Sequence, residues 1–70
     1  MKGGYMYTLK EAREAKGIKL GFVAEQLGVT RQTYSKYEEN QEEMSVSQAK
    51  AACEVLGYSI EDIFLPKKVN

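Results

Sequence analysis

The 70-residue chain has no histidine, a single cysteine, a single proline and a formal net charge of zero. Each scarcity excludes something. One cysteine cannot close an internal disulfide, and one cysteine without histidine cannot furnish a structural zinc site. A reducing cytosol is therefore the expected setting, with no metal and no cofactor. Without histidine, without paired catalytic carboxylates on a defined site and without a glycine-rich phosphate loop, no enzyme is expected. No apolar run approaches the roughly 18 residues needed to span a bilayer, and the opening MKGGYMYT lacks the apolar core of a signal peptide. Neither a membrane partner nor a small-molecule ligand is expected.

What the chain does have is 43% hydrophobic side chains, enough for one small domain built compactly from helices. The zero net charge hides a split. Residues 1–37 hold seven cations (Lys2, Lys10, Arg13, Lys16, Lys19, Arg31, Lys36) against three anions (Glu11, Glu14, Glu25), a balance of +4. Residues 38–70 hold three cations against seven anions, a balance of −4. Such a split suits one face made for a polyanion and another that is not.

Hydrophobic periodicity divides the chain into five short helices, about 8–16, 20–27, 31–38, 47–56 and 60–65, with no strand pattern between them. Thr8 and Glu11 have the spacing of a capping box, and Gly17 stops the first helix. Val23, Ala24 and Leu27 share a face of the second, which Gly28 ends. Thr30 caps the third, on which Tyr34 and Tyr37 face inward while Arg31, Gln32, Ser35 and Lys36 face outward. Ser45 and Gln48 have the spacing of a second capping box, before a helix whose Ala49, Ala52, Cys53 and Leu56 repeat at helical spacing. Cys53 thus reads as a buried, inert thiol. Ser59 caps a last helix holding Ile60, Ile63 and Phe64, and Pro66 terminates it. The expected fold is a single all-α domain over residues 1–70, a compact five-helix bundle with its core in residues 8–65 and flexible termini at 1–7 and 66–70.

Three stretches, LKEAREAKGI, VAEQLGVTRQTYSKYE and AACEVLGYSIEDIF, fall in register without insertion or deletion. From Leu9 to Phe64 the chain resembles the helix-turn-helix domain of the phage repressor and Cro family, also called the XRE family. The resemblance implies that residues 30–38 match the recognition helix, which enters the major groove of double-stranded DNA. Arg31 and Gln32 then stand where the family reads base edges, with Lys36 one turn later. Arginine pairs bidentately with guanine and glutamine with adenine, while Thr33 and Ser35 suit a phosphate or a thymine methyl. Thr30 lies at the electropositive helix start, which offers free amides to a phosphate. The resemblance also implies that Arg13 pairs with Glu38, which makes that glutamate structural, and that the protein is a homodimer. Ile60, Ile63, Phe64 and Leu65 are the expected dimer contact.

Two departures mark the chain. Where the family places a Ser or Thr cap followed by Gln at the start of the second helix, this chain has Lys19 and Leu20. Lys19 restores charge but not a capping acceptor, and Gly21 weakens that helix further. After the recognition helix, relatives place Asn-Gly and then a cation. Here Asn40 is expected to supply the left-handed conformation, and Asn40 and Gln41 are the expected auxiliary phosphate contacts, among Glu39, Glu42 and Glu43. Two functions remain in play: a sequence-specific DNA-binding transcriptional regulator, a repressor in the Cro/C1 manner, and a helix-turn-helix domain turned to protein binding as an adaptor or antagonist.

Overall fold

The computed structural model describes residues 7–64, all helix and connection with no strand. The helices are α1 (Leu9–Ala15), α2 (Leu20–Leu27), α3 (Arg31–Glu39), α4 (Val46–Leu56) and α5 (Ile60–Ile63). A single 3-10 turn, Gln41–Glu43, fills what the sequence suggests is an open loop. Leu65 and the termini, expected in a dimer contact and as flexible ends, lie outside the described residues, and Ile63, expected in the same contact, is instead fully buried in the core and has no surface to offer a partner.

Local chemistry explains where the helices begin and end. The Thr8 hydroxyl accepts from the Glu11 amide at 3.0 Å, and the Glu11 carboxylate accepts from the Thr8 amide at 3.0 Å, completing the expected capping box. Ser45 caps α4 from one side only: its hydroxyl accepts from the Gln48 amide at 3.1 Å, and Gln48 returns no bond. The fourth helix therefore starts at Val46, one residue before the expected position. Three helices end alike, on a glycine of positive φ followed by an apolar residue whose amide reaches back into the last turn, as Val29 does to Ala24 O at 3.0 Å. Those following residues, Ile18, Val29 and Tyr58, pack against the core.

Asn40 corrects one expectation. It sits at φ −138°, ψ 79°, and no residue other than glycine has positive φ among the described residues. The turn after α3 is made by the 3-10 hydrogen bonds Glu43 N to Asn40 O and Met44 N to Gln41 O, so a left-handed residue is not required there.

The core is one cluster of small and medium side chains: Leu9 and Ala12 from α1, Val23 and Ala24 from α2, Tyr34 from α3, Ala52, Cys53 and Leu56 from α4, and Ile63 from α5. α2 packs against both α3 and α4, which makes it the central element. Burial pushes the Cys53 thiol above its ordinary value, in keeping with an inert side chain. Tyr37, expected inward, is half-buried and packs against the same cluster.

Tyr34 is fully buried, and its hydroxyl is the one buried side-chain polar atom without a hydrogen-bond partner among the described residues. Burial first and the neighbouring Glu38 second raise its pKa well beyond the usual phenol range. The Glu38 carboxylate is engaged by Arg13 and, by geometry, makes no hydrogen bond to the Tyr34 hydroxyl. Tyr34→Phe is therefore expected to leave stability unchanged or to raise it by up to about 1 kcal/mol, since it removes a desolvated donor and keeps the ring. Urea denaturation measures this, and a loss above about 1 kcal/mol would show that the hydroxyl has a partner after all.

Candidate nucleic-acid interface

The candidate interface is built on α2, the Gly28 turn and α3. Gly28 adopts φ +74° and its amide reaches back to Ala24 O and Glu25 O, which closes α2. Two residues later Thr30 opens α3: its hydroxyl accepts from the Thr33 amide at 3.1 Å and bonds the Thr33 hydroxyl at 3.0 Å. This cap fixes the direction in which the first turn of α3 presents its side chains, and such caps contribute about 1 kcal/mol.

That first turn is polar and open. Arg31, Gln32 and Lys36 are exposed, Thr33 and Ser35 half-buried, and Tyr34 points into the core between them. Neither Arg31, Gln32 nor Lys36 makes a side-chain hydrogen bond or ion pair with any other described residue. Their donors and acceptors are free for a ligand. An α-helix with its side chains is about 10 to 12 Å across, which matches the roughly 12 Å width of the major groove.

The rear of α3 is anchored by an ion pair. Arg13 Nε donates to Glu38 Oε2 at 2.6 Å and Nη2 donates to Oε1 at 3.1 Å, a two-pronged contact, while Nη1 donates to Ile18 O at 3.0 Å. The two side chains are only 11% and 6% exposed. The hydrogen bond to Glu38 is the main cause of the raised Arg13 pKa. The pairing implied by family resemblance is thus present, and it ties α1 and the α1–α2 link to the end of α3.

Lys19 is the N-cap of α2, exposed and without a side-chain capping bond, as the missing acceptor in its side chain requires. It shares a shallow cavity with Leu20, Gly21, Phe22, Glu25 and Arg31. Phe22 is 49% exposed there, an apolar contribution the sequence did not single out, because one aromatic on a polar helix face carries no periodic signal.

Gln41 departs from its expected role as an auxiliary phosphate contact. Its side-chain oxygen accepts from the Leu9 amide and its amide nitrogen donates to Ile63 O at 3.4 Å, so both ends of the group are turned inward. The long-range partners, 32 and 22 residues away in sequence, are what no local pattern announces. Asn40 stays exposed. At the far end of α3 from Arg31, a groove of about 310 Å³ is walled by Tyr7, Phe64, Glu39 and Glu42.

The sequence model of the helix-turn-helix family matches residues 9–63. No curated protein and no solved structure matches the chain significantly. No helix among the described residues is long and apolar enough to cross a membrane.

Proposed function

The chain belongs to the Cro/C1-type helix-turn-helix family, also called XRE, a family of DNA-binding regulators, and from that membership we propose that it binds double-stranded DNA sequence-specifically with α3 in the major groove. The observation that carries this is the first turn of α3, where Arg31 and Gln32 stand exposed and uncommitted on a helix anchored from behind by Arg13 and Glu38. Arg31, Gln32 and Lys36 read base edges. Lys19, Thr30, Thr33, Ser35 and Asn40 contact phosphates or sugar, with Thr30 serving also as the cap. Few cations neutralise phosphates, so affinity is modest at physiological salt. The regulator works in the cytosol as a homodimer, because one such domain spans too few base pairs to find a site in a genome. Half-sites then lie about one helical turn apart, ~34 Å.

The test begins with selection of a preferred duplex from a random pool, followed by fluorescence polarisation. Gln32→Ala is expected to cost about 1 to 3 kcal/mol on the preferred duplex and to relax base preference at one or two positions. Lys19→Ala is expected to weaken all duplexes alike and to flatten the salt slope by about one unit. If Gln32→Ala leaves both affinity and preference untouched, α3 does not dock in this way. A single unrepeated half-site in footprinting, with a monomer in sedimentation, would count against the dimer.

The second function, protein binding, is favoured by one feature: the groove beside Tyr7 and Phe64, rimmed by the exposed carboxylates of Glu39 and Glu42. A wild-type chain that binds no duplex at low salt would select it.

A further inference from the structure

Gly21 lies in the first turn of α2, where glycine is a poor choice. It weakens a helix relative to alanine by up to about 1 kcal/mol, less near an end, and α2 already starts without a side-chain cap. Its backbone does not ask for glycine: the positive-φ glycines are Gly17, Gly28 and Gly57. What the missing side chain makes room for is Arg31. A Cβ at Gly21 would stand 2.7 Å from Arg31 Nε, 3.1 Å from Nη2 and 3.2 Å from Cζ, with the guanidinium as its nearest neighbour. The guanidinium thus lies on the bare backbone of α2, in the space a β-carbon would fill.

We propose that Gly21 is a positioning residue for DNA recognition, a seat in α2 that holds the Arg31 guanidinium of α3 ready for its DNA contact; this rests on the DNA-binding function proposed above. A free arginine side chain samples many rotamers and loses that freedom on binding. An arginine already seated against α2 loses less. Arg31 lines the same cavity as Lys19 and Glu25, with no carboxylate in ion-pair contact with it. The glycine exchanges helix stability for order in one contact residue.

Gly21→Ala separates the two roles, because a β-carbon strengthens α2 and only has to push aside the end of a flexible side chain. The expected result is a melting temperature equal to or above that of the wild type, together with a 2- to 10-fold loss of affinity for the preferred duplex, the range for ordering one rotamer-rich side chain. The loss should vanish in an Arg31→Ala background, so that Gly21→Ala/Arg31→Ala binds as Arg31→Ala does. Unchanged affinity in Gly21→Ala overturns the proposal. So does an equal loss in the Arg31→Ala background, since the new methyl would then act on the DNA directly. Nuclear Overhauser contacts between the Gly21 α-protons and the Arg31 side chain are expected in the free protein, and they do not depend on DNA. Their absence overturns the seat itself, whereas a wild type that binds no duplex overturns the DNA-binding function.

Discussion

Glu38→Ala is expected to remove about 3 kcal/mol or more of stability, enough to leave a 70-residue domain partly unfolded at room temperature. The replacement strands the Arg13 guanidinium, 11% exposed, with Ile18 O as its remaining partner. Breaking one side of a buried pair is far more damaging than its net contribution, because the surviving charge stays desolvated. The melting temperature should fall by at least about 12 °C. Replacing both residues by apolar ones, Arg13→Met with Glu38→Leu, should recover much of the loss, since no charge is then left without its partner. A fall of less than about 1 kcal/mol in Glu38→Ala would place the pair with ordinary surface contacts. The sign for pH follows from Arg13, whose folded pKa lies above its unfolded value. Its contribution is complete below the unfolded value and fades only as pH climbs through the folded one, so the arginine side of the pair holds until strong alkali.

Glu42→Lys with Glu43→Lys is expected to raise affinity for scrambled duplex DNA on the order of 100-fold at 50 mM salt. Both residues are exposed in the 3-10 turn that follows α3. Each lysine that neutralises one phosphate releases about 0.9 counterion, which at that salt is on the order of tenfold in affinity and steepens the salt slope by about 0.9. Such a gain is blind to sequence. The preferred duplex should therefore stay the same while its advantage over scrambled DNA shrinks, which would make the native glutamates a filter against non-specific binding. Binding of the double variant to both duplexes across a salt series measures this. No gain on scrambled DNA would mean that the turn faces away from the duplex, and the carboxylate rim beside Tyr7 and Phe64 would then be a surface for a protein.

The helices were legible because their signals are local. Thr8 and Glu11 are three residues apart, Gly28 and Gly57 each follow an apolar run, and the inward set of Tyr34, Ala52, Cys53 and Leu56 follows helical periodicity. The open first turn of α3 was legible for the same reason. Arg13 and Glu38 sit 25 residues apart, and resemblance to a family, not spacing, joined them. What stayed hidden depends on contacts between distant parts of the chain. Asn40 has the right chemistry for a left-handed turn, yet the 3-10 bonds around it set another conformation. Gln41 looks from the sequence like one more polar loop residue, and only the approach of Leu9 and Ile63 gives its amide an interior task. Gly21 reads as a weak spot until Arg31 is seen lying over it.

Traced bond by bond rather than helix by helix, the domain is a ring. The Tyr7 amide donates to Asp62 O at 3.0 Å, which joins the two ends of the described chain, and the Gln41 side chain bridges Leu9 to Ile63 at the same junction. Entrance and exit therefore coincide, beyond the Glu39 end of α3, while Arg31 and Gln32 lie at its other end about 12 Å away along the helix axis. The two ends of the described chain thus sit together at one end of α3, and the open first turn of that helix lies at the other.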